Sequence, residues 1–207
     1  AIYSTSSGTI TISNSTVSGN TATNGITGIG GAIDSRGSMT VLNSTISGNT
    51  AGNAENQSSC GGGIYSSGTL TVVNSTVTGN GVTQTAGGTQ AGGILRAGGT
   101  ATIRNTIVAA NLNNGTVADV NAVSATGFTS SGFNLIGNRG NVTFGGAGDQ
   151  SGTGASPLDP QLGPLQNNGG TTPTHALNVG SQALDRGNSS CSIFDQRGLK
   201  RPVDLAG

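Results

Sequence analysis

Side chains able to do acid–base or metal chemistry are sparse in this chain and scattered. Through residue 111 the only charged residues are Asp34, Arg36, Glu55, Arg96 and Arg104. Cleaving a polysaccharide needs paired carboxylates a few ångströms apart, or carboxylates gathered around calcium, with Arg or Lys close by. Asp34 and Arg36 come nearest to this, but one sequence repeat later the same positions hold Tyr65 and Ser67, so no carboxylate column forms. The densest charge is late, at Asp185, Arg186, Asp195 and Arg197. There the expectation is structural: carboxylates bonding turn amides and arginines tying loops together. His175, the single histidine, has no Cys, Ser or acidic neighbour in sequence and reads as a packed or surface residue. Cys60 and Cys191 match no zinc or redox spacing, which leaves open both a disulfide and two separate thiols. The expectation is no catalytic residue, no cofactor and no metal site, and nothing in the sequence supports a structural calcium.

Hydroxyls offer a different chemistry. Thr9 and Thr11, Ser38 and Thr40, Thr69 and Thr71, and Thr100 and Thr102 recur in pairs two residues apart. On stacked strands such pairs would face outward as a grid of hydroxyls and methyls, about 7 Å by 4.8 Å. A grid of that kind can order water and bind ice. The plainer expectation is that Thr is simply a good exposed strand former. The next outward column, Ser13, Leu42, Val73 and Arg104, is irregular.

The elements that position these residues are repeats. Four stretches begin at Ile2, Ile33, Ile64 and Ile94 and carry an asparagine at Asn14, Asn43, Asn74 and Asn105. These asparagines are 29, 31 and 31 residues apart, and a second asparagine follows six residues after each, at Asn20, Asn49, Asn80 and Asn111. Sequence periods of this length mark a solenoid or an array. Within each repeat the pattern alternates, as in Thr9-Ile10-Thr11-Ile12 and Thr69-Leu70-Thr71-Val72, which argues strands with one buried face. A second short strand follows at Thr16-Val17-Ser18 and its copies, and a third lies around Ile2, Ile33, Ile64 and Ile94.

Three short strands in about 30 residues describe one coil of a right-handed, single-stranded parallel β-helix, an all-β solenoid. Ile10, Met39, Leu70 and Ala101 then stack as one inward column, and Ile12, Val41, Val72 and Ile103 as another. Asn14, Asn43, Asn74 and Asn105 become a structural ladder at a corner, because a side-chain amide both donates and accepts and Asn tolerates left-handed backbone. Seven Asn-x-Ser/Thr sequons occur, but Asn14, Asn43 and Asn74 are ladder positions where a glycan would oppose the fold. Long loops fall at one corner only, Thr50 to Gly62 and Gly81 to Gly93, which marks that edge as the variable surface. Residues 1–150 are expected to be coils, clear through 111 and degenerate over 112–150. Residues 151–207, where Pro, Leu, Gln and scattered charge enter, are expected to cap an open end.

Composition narrows the function classes. The 207 residues hold 8 basic and 8 acidic side chains, which argues against a nucleic-acid partner needing a clustered basic face. No apolar run reaches the length of a membrane span. The chain opens within a repeat at Ala1 with no secretory signal, so it reads as a mature or excised piece, with a strand edge that could template end-to-end association.

The later residues carry a resemblance. Gly-Gly-Gly-Ile-Tyr at 61–65, Asn-Ser-Thr-Val-Thr-Gly-Asn at 74–80 and Phe-Asn-Leu-Ile-Gly-Asn at 133–138 are followed by an ordered C-terminal series. That series is Leu-Asp-Pro-Gln-Leu-Gly-Pro-Leu-Gln-Asn-Asn-Gly-Gly at 158–170, Ala-Leu-Asp-Arg-Gly at 183–187, Asp-Gln-Arg-Gly at 195–198, and Arg201-Pro202. Together these resemble bacterial surface proteins with right-handed β-helix repeats and a choice-of-anchor Q domain, and the repeats alone resemble polymorphic outer-membrane proteins. The resemblance implies an exported, surface-displayed protein with no assigned chemistry. It also implies a further cysteine-containing segment and a sorting signal beyond the Asp-Gln-Arg-Gly region, where this chain stops at Gly207. The function expected is a non-enzymatic extracellular stalk or adhesin-like display module that binds glycans or other surfaces. The alternatives are a carbohydrate-active β-helix, an ice-binding threonine array and an end-to-end filament subunit.

Overall fold

The computed structural model describes residues 1–23, 29–52, 59–83, 88–188 and 192–201. Cys191, Glu55 and the middles of both long loops lie outside these residues, as does any pairing of Cys60 with Cys191. The described residues are all β, with no helix, and their parallel strands stack as a solenoid of about four turns.

The alternating segments pair in register from coil to coil. Sheet A stacks Ile2–Ser4, Ile33–Ser35, Ile64–Ser66, Ile94–Arg96 and Val120–Ala122. Sheet B stacks Thr9–Ser13, Ser38–Leu42, Thr69–Val73, Thr100–Arg104 and Phe128–Ser130. Sheet C stacks Thr16–Ser18, Thr45–Ser47, Thr76–Thr78, Ile107–Ala109, Leu135–Ile136 and Gln150–Ser151. Each β-branched or leucine side chain on an inward position meets its copy one coil away, which is how a strand a few residues long finds a full complement of neighbours. Ile33, Met39, Val41, Ile46, Ile64, Leu70, Val72 and Ile94 are at most 2% exposed in one continuous core.

Two shorter strands complete each of the first three coils beyond the three expected. Sheet D stacks Thr21–Ala22, Thr50–Ala51, Gly81–Val82 and Leu112–Asn113, and sheet E stacks Ile29–Gly30, Ser59–Gly61 and Thr89–Ala91. Between them lies a second, smaller core of Ile29, Ala51, Cys60 and Val82. Each of these three coils therefore has a main lobe of sheets A, B and C and a side lobe of D and E. The Gly-Gly and Gly-Ala pairs before sheet A form the neck between the lobes. A Cβ added at Gly31 would run into the Gly62 carbonyl and the Thr50–Ala51 backbone, and one at Gly62 into the Gly92 and Gly81 carbonyls. Only glycine lets the chain leave sheet E so close to where the next coil enters sheet D.

The C-terminal residues divide into two parts. Around residues 137–158 loops close the last coils, with Gly152 N–H donating to Ile136 O and Leu158 N–H to Gly137 O. Residues 161–188 and 192–201, expected over an open end, run instead along the flank of the solenoid. Asn188 N–H donates to Asn105 Oδ1 at 2.8 Å on the fourth coil. On the second coil, Gln196 Oε1 accepts from Thr45 Oγ1 at 2.7 Å. Gln196 Nε2 donates to Ser15 O at 3.1 Å and Thr16 Oγ1 at 2.9 Å on the first. The antiparallel hairpin Leu162–Gln166 with Thr174–Leu177 belongs to this strap. It docks there because the outer face of sheet C presents hydroxyls (Thr16, Thr45, Ser47) that a polar segment can satisfy.

Candidate functional site

The Asn14 column sits at the sheet B to sheet C corner as expected, with φ values of 48, 46, 52 and 50° at Asn14, Asn43, Asn74 and Asn105. Asn43 Nδ2 donates to Asn14 Oδ1 at 3.4 Å, and Asn105 Nδ2 to Asn74 Oδ1 at 2.8 Å. The rung between Asn43 and Asn74 is not made: Asn43 Oδ1 is buried without a partner. The flank strap competes for this column, since Asn43 Nδ2 also donates to Ser192 Oγ and Phe194 O, both at 3.3 Å. The corner asparagines are thus two bonded pairs shared with the strap.

The continuous ladder is the second asparagine column, six residues on. Asn49 gives both its backbone N–H and its Nδ2 to Asn80 Oδ1, at 3.0 and 2.8 Å. Asn80 does the same to Asn111 Oδ1, at 3.0 and 2.8 Å, and Asn20 to Asn49 Oδ1, at 3.0 and 2.9 Å. Spare amide protons go to strand carbonyls, such as Asn80 Nδ2 to Ile46 O at 3.0 Å and Thr78 O at 3.1 Å. The column ends on a carboxylate: Asp119 Oδ1 accepts Asn111 N–H and Nδ2, and Asp119 Oδ2 accepts Asn138 N–H. Asp119 is fully buried, and loss of water outweighs these donors, raising its pKa from 3.8 to about 6.

A second ladder runs through hydroxyls. Ser15 N–H donates to Ser44 Oγ, Ser44 N–H to Ser75 Oγ, Ser75 N–H to Thr106 Oγ1, and Thr106 N–H to Asn134 Oδ1, at 3.1–3.3 Å. Asn134 N–H and Nδ2 then donate to Asp149 Oδ1, both at 3.0 Å. Each internal polar column therefore ends on an acid. A carboxylate has two oxygens, so it can finish a row of donors with one and take a loop amide with the other, as Asp149 Oδ2 does from Gly146 N–H at 2.8 Å. The repeated asparagine six residues on was a visible signal for the first column. Asp119 and Asp149 lie off the repeat, so nothing in the spacing pointed to them.

The hydroxyl grid is in register. Thr9, Ser38, Thr69 and Thr100 align, as do Thr11, Thr40, Thr71 and Thr102, the latter extended by Thr129. The first column is exposed, while Thr40, Thr71 and Thr102 are half-buried.

Sheet A carries a compact polar and aromatic group on its outer column, where Tyr3, Asp34 and Tyr65 align. Arg36 Nε donates to Asp34 Oδ1 at 3.3 Å and Nη2 to Oδ2 at 3.1 Å, a two-pronged ion pair. The Arg36 guanidinium carbon lies 5.5 Å from the Tyr3 ring centre. Burial raises the Asp34 pKa, with Arg36 opposing the shift, and burial together with the Asp34 charge raises that of Tyr65.

The late charges separate. Asp195 and Arg197 pair at 2.7 Å, and Arg197 Nη1 also donates to Asn168 O at 3.2 Å. Asp185 and Arg186 line a different groove with Phe133, Asp149 and Gln150. His175 bridges strap and coil: Nδ1 is 2.7 Å from Gly163 O and Nε2 is 2.8 Å from Ser47 Oγ. Cys60 is buried in the side-lobe core, which raises its thiol pKa. Among the described residues no group of three or more His, Cys, Asp or Glu is placed to hold a metal ion, and no helix is long and apolar enough to cross a membrane.

No protein-family model, no curated protein and no solved structure matches the chain.

Proposed function

We propose that this chain is a non-enzymatic, cell-surface display module, a stiff solenoid stalk that presents its outer faces and loop edge to glycans or other surfaces. The observation that carries this reading is the pair of internal ladders, Asn20 to Asp119 and Ser15 to Asp149, which tie every coil to the next through buried amides and hydroxyls. Satisfied buried networks of this kind hold one geometry and resist sliding of coil on coil. Among the described residues the carboxylates of the coils take part in that framework: Asp119 and Asp149 end the ladders, and Asp34 is held by Arg36. The resemblance of the C-terminal series to exported surface proteins supports a location outside the cell. Retention of the purified chain on an array of immobilised neutral and acidic glycans tests the recognition half of this reading. Reversible retention on at least one class is expected, and none on any class would remove it.

A second reading attaches to the in-register hydroxyl columns of sheet B, which suit an ordered water lattice. Thermal hysteresis by the purified chain, lost in Thr71→Tyr, would favour ice binding; no hysteresis and no inhibition of recrystallisation would end it.

A further inference from the structure

We propose a site for a small monovalent anion, of the chloride class, inside the main lobe between Ser66 and Arg96. The last residue of each sheet A strand aligns with its copies in one column, Ser4, Ser35, Ser66, Arg96 and Ala122. All five are at most 4% exposed. Among the described residues four buried side-chain atoms have no hydrogen-bond partner. Three of the four, Ser35 Oγ, Ser66 Oγ and Arg96 Nε, belong to successive members of this column. Ser4 differs because its Oγ donates to Thr5 O at 3.2 Å. The two bonded ladders of the interior end on the acids Asp119 and Asp149. This third polar column is unbonded along its length and ends on a cation.

The cation is what calls for an anion. Arg96 Nη1 donates to Gly99 O at 2.9 Å, and Nη2 donates to Ser124 O. Both partners are neutral carbonyls, and the two ion pairs among the described residues lie elsewhere, at Asp34 with Arg36 and Asp195 with Arg197. A guanidinium keeps its charge in a protein, and a buried charge is costly unless it is paired. Water could accept from Nε–H but would leave that charge standing. An anion accepts and neutralises together. Ser66 and Arg96 are register partners, about 4.8 Å apart at the backbone, so one ion can take a donor from each coil. Both unpartnered hydroxyls can also donate, which suits an ion that only accepts. Ser35 and Ser66 are 0% exposed among Ile33, Ile64, Leu70 and Ile94 of the apolar core, and this enclosure selects a small spherical ion over a carboxylate or an oxyanion. Space is greatest in this part of the lobe. Ala101, in the coil of Arg96, stands where Met39 and Leu70 stand in the coils before, and Ala122 follows Arg96 in the column.

Urea unfolding of the whole chain in sodium chloride, sodium bromide and sodium gluconate, at matched sodium concentration, tests the site. The wild-type midpoint is expected to climb with chloride and with bromide above its value in gluconate, as mass action requires of a ligand held by the folded state alone. In Arg96→Met this halide advantage disappears. In Ser66→Ala it needs about tenfold more halide, the worth of one hydrogen bond to a charged group. Equal wild-type midpoints in the three salts, or a halide advantage that survives Arg96→Met, would overturn the site. Should the variants not fold, wild-type crystals grown in bromide give the answer. A peak of anomalous scattering within hydrogen-bond distance of Arg96 Nε and Ser66 Oγ is expected there. Water without anomalous signal at that position, or no peak, would overturn the proposal.

Discussion

Asn111 gives its backbone N–H and its side-chain amide to the same oxygen of Asp119, at 2.7 and 2.9 Å, while the other oxygen of Asp119 takes Asn138 N–H at 2.7 Å. One acid so closes a row of asparagines begun four coils earlier and starts the irregular coils that follow.

The titration of Asp119 makes stability depend on pH. Its folded pKa of about 6 lies above the ordinary 3.8, so between these values the folded state binds more protons than the unfolded one. Stability from this group is therefore fully present below pH 3.8 and is lost as pH rises through about 6. The shift corresponds to about 3 kcal/mol at most. Asp119→Asn abolishes this dependence. Its amide oxygen can accept from Asn111 as the ladder asparagines do, but its NH₂ then faces the Asn138 donor, at a cost of about 1–3 kcal/mol. Urea titrations should find the variant close to wild type at pH 7.5 and clearly less stable at pH 4.5. The reverse order would contradict the assignment.

The two asparagine columns should respond unequally. Asn80→Ala orphans the backbone N–H of Asn49 inside the core, takes one of three acceptors from Asn49 Nδ2, and removes the bonds to Ile46 O and Thr78 O. Its expected cost is about 4 kcal/mol, summing a few unsatisfied buried groups. Asn14 is exposed and shares one 3.4 Å rung, so Asn14→Gly, which also suits its φ of 48°, should change stability by less than about 0.5 kcal/mol. Denaturant midpoints decide between them, and equal losses would mean that the corner column carries the coil.

Glycines separate by mechanism. Gly62→Ala drives a methyl into backbone carbonyls of the next coil and should prevent folding of the purified chain. Gly79→Ala meets only ordinary contacts, and its φ of +66° costs about 1–2 kcal/mol. Circular dichroism of both variants checks the contrast. A folded Gly62→Ala would remove the neck between the lobes.

Much of this was legible in the sequence, and the reason is periodicity. Alternating residues around Ile10, Ile12 and their copies fixed sheets A, B and C and the inward columns, because each position repeats what its neighbour above needs. Sheets D and E were not legible: strands of two or three residues are too short to carry an alternation. The acids closing the ladders sit eight residues past Asn111 and fifteen past Asn134, off any repeat. The strap's docking joins Gln196 to Ser15 across 181 residues, a contact that no local pattern encodes.

That strap should be separable from the coils. Gln196→Ala removes bonds to Ser15, Thr16 and Thr45 while leaving the sheet C ladder of Val17, Ile46 and Val77 intact. Hydrogen exchange should quicken over 162–177 and 192–201 and stay slow at Ile46 and Val77. Uniform loss of protection would show that strap and coils fold as one unit.

The most direct test of a display module rather than an enzyme is to follow its glycan by native mass spectrometry. The whole chain is held for hours with each oligosaccharide that it binds. A complex whose released sugar keeps its full mass is the predicted result. Shortened oligosaccharides, whether carrying the added water of hydrolysis or the unsaturation left by elimination, would contradict it.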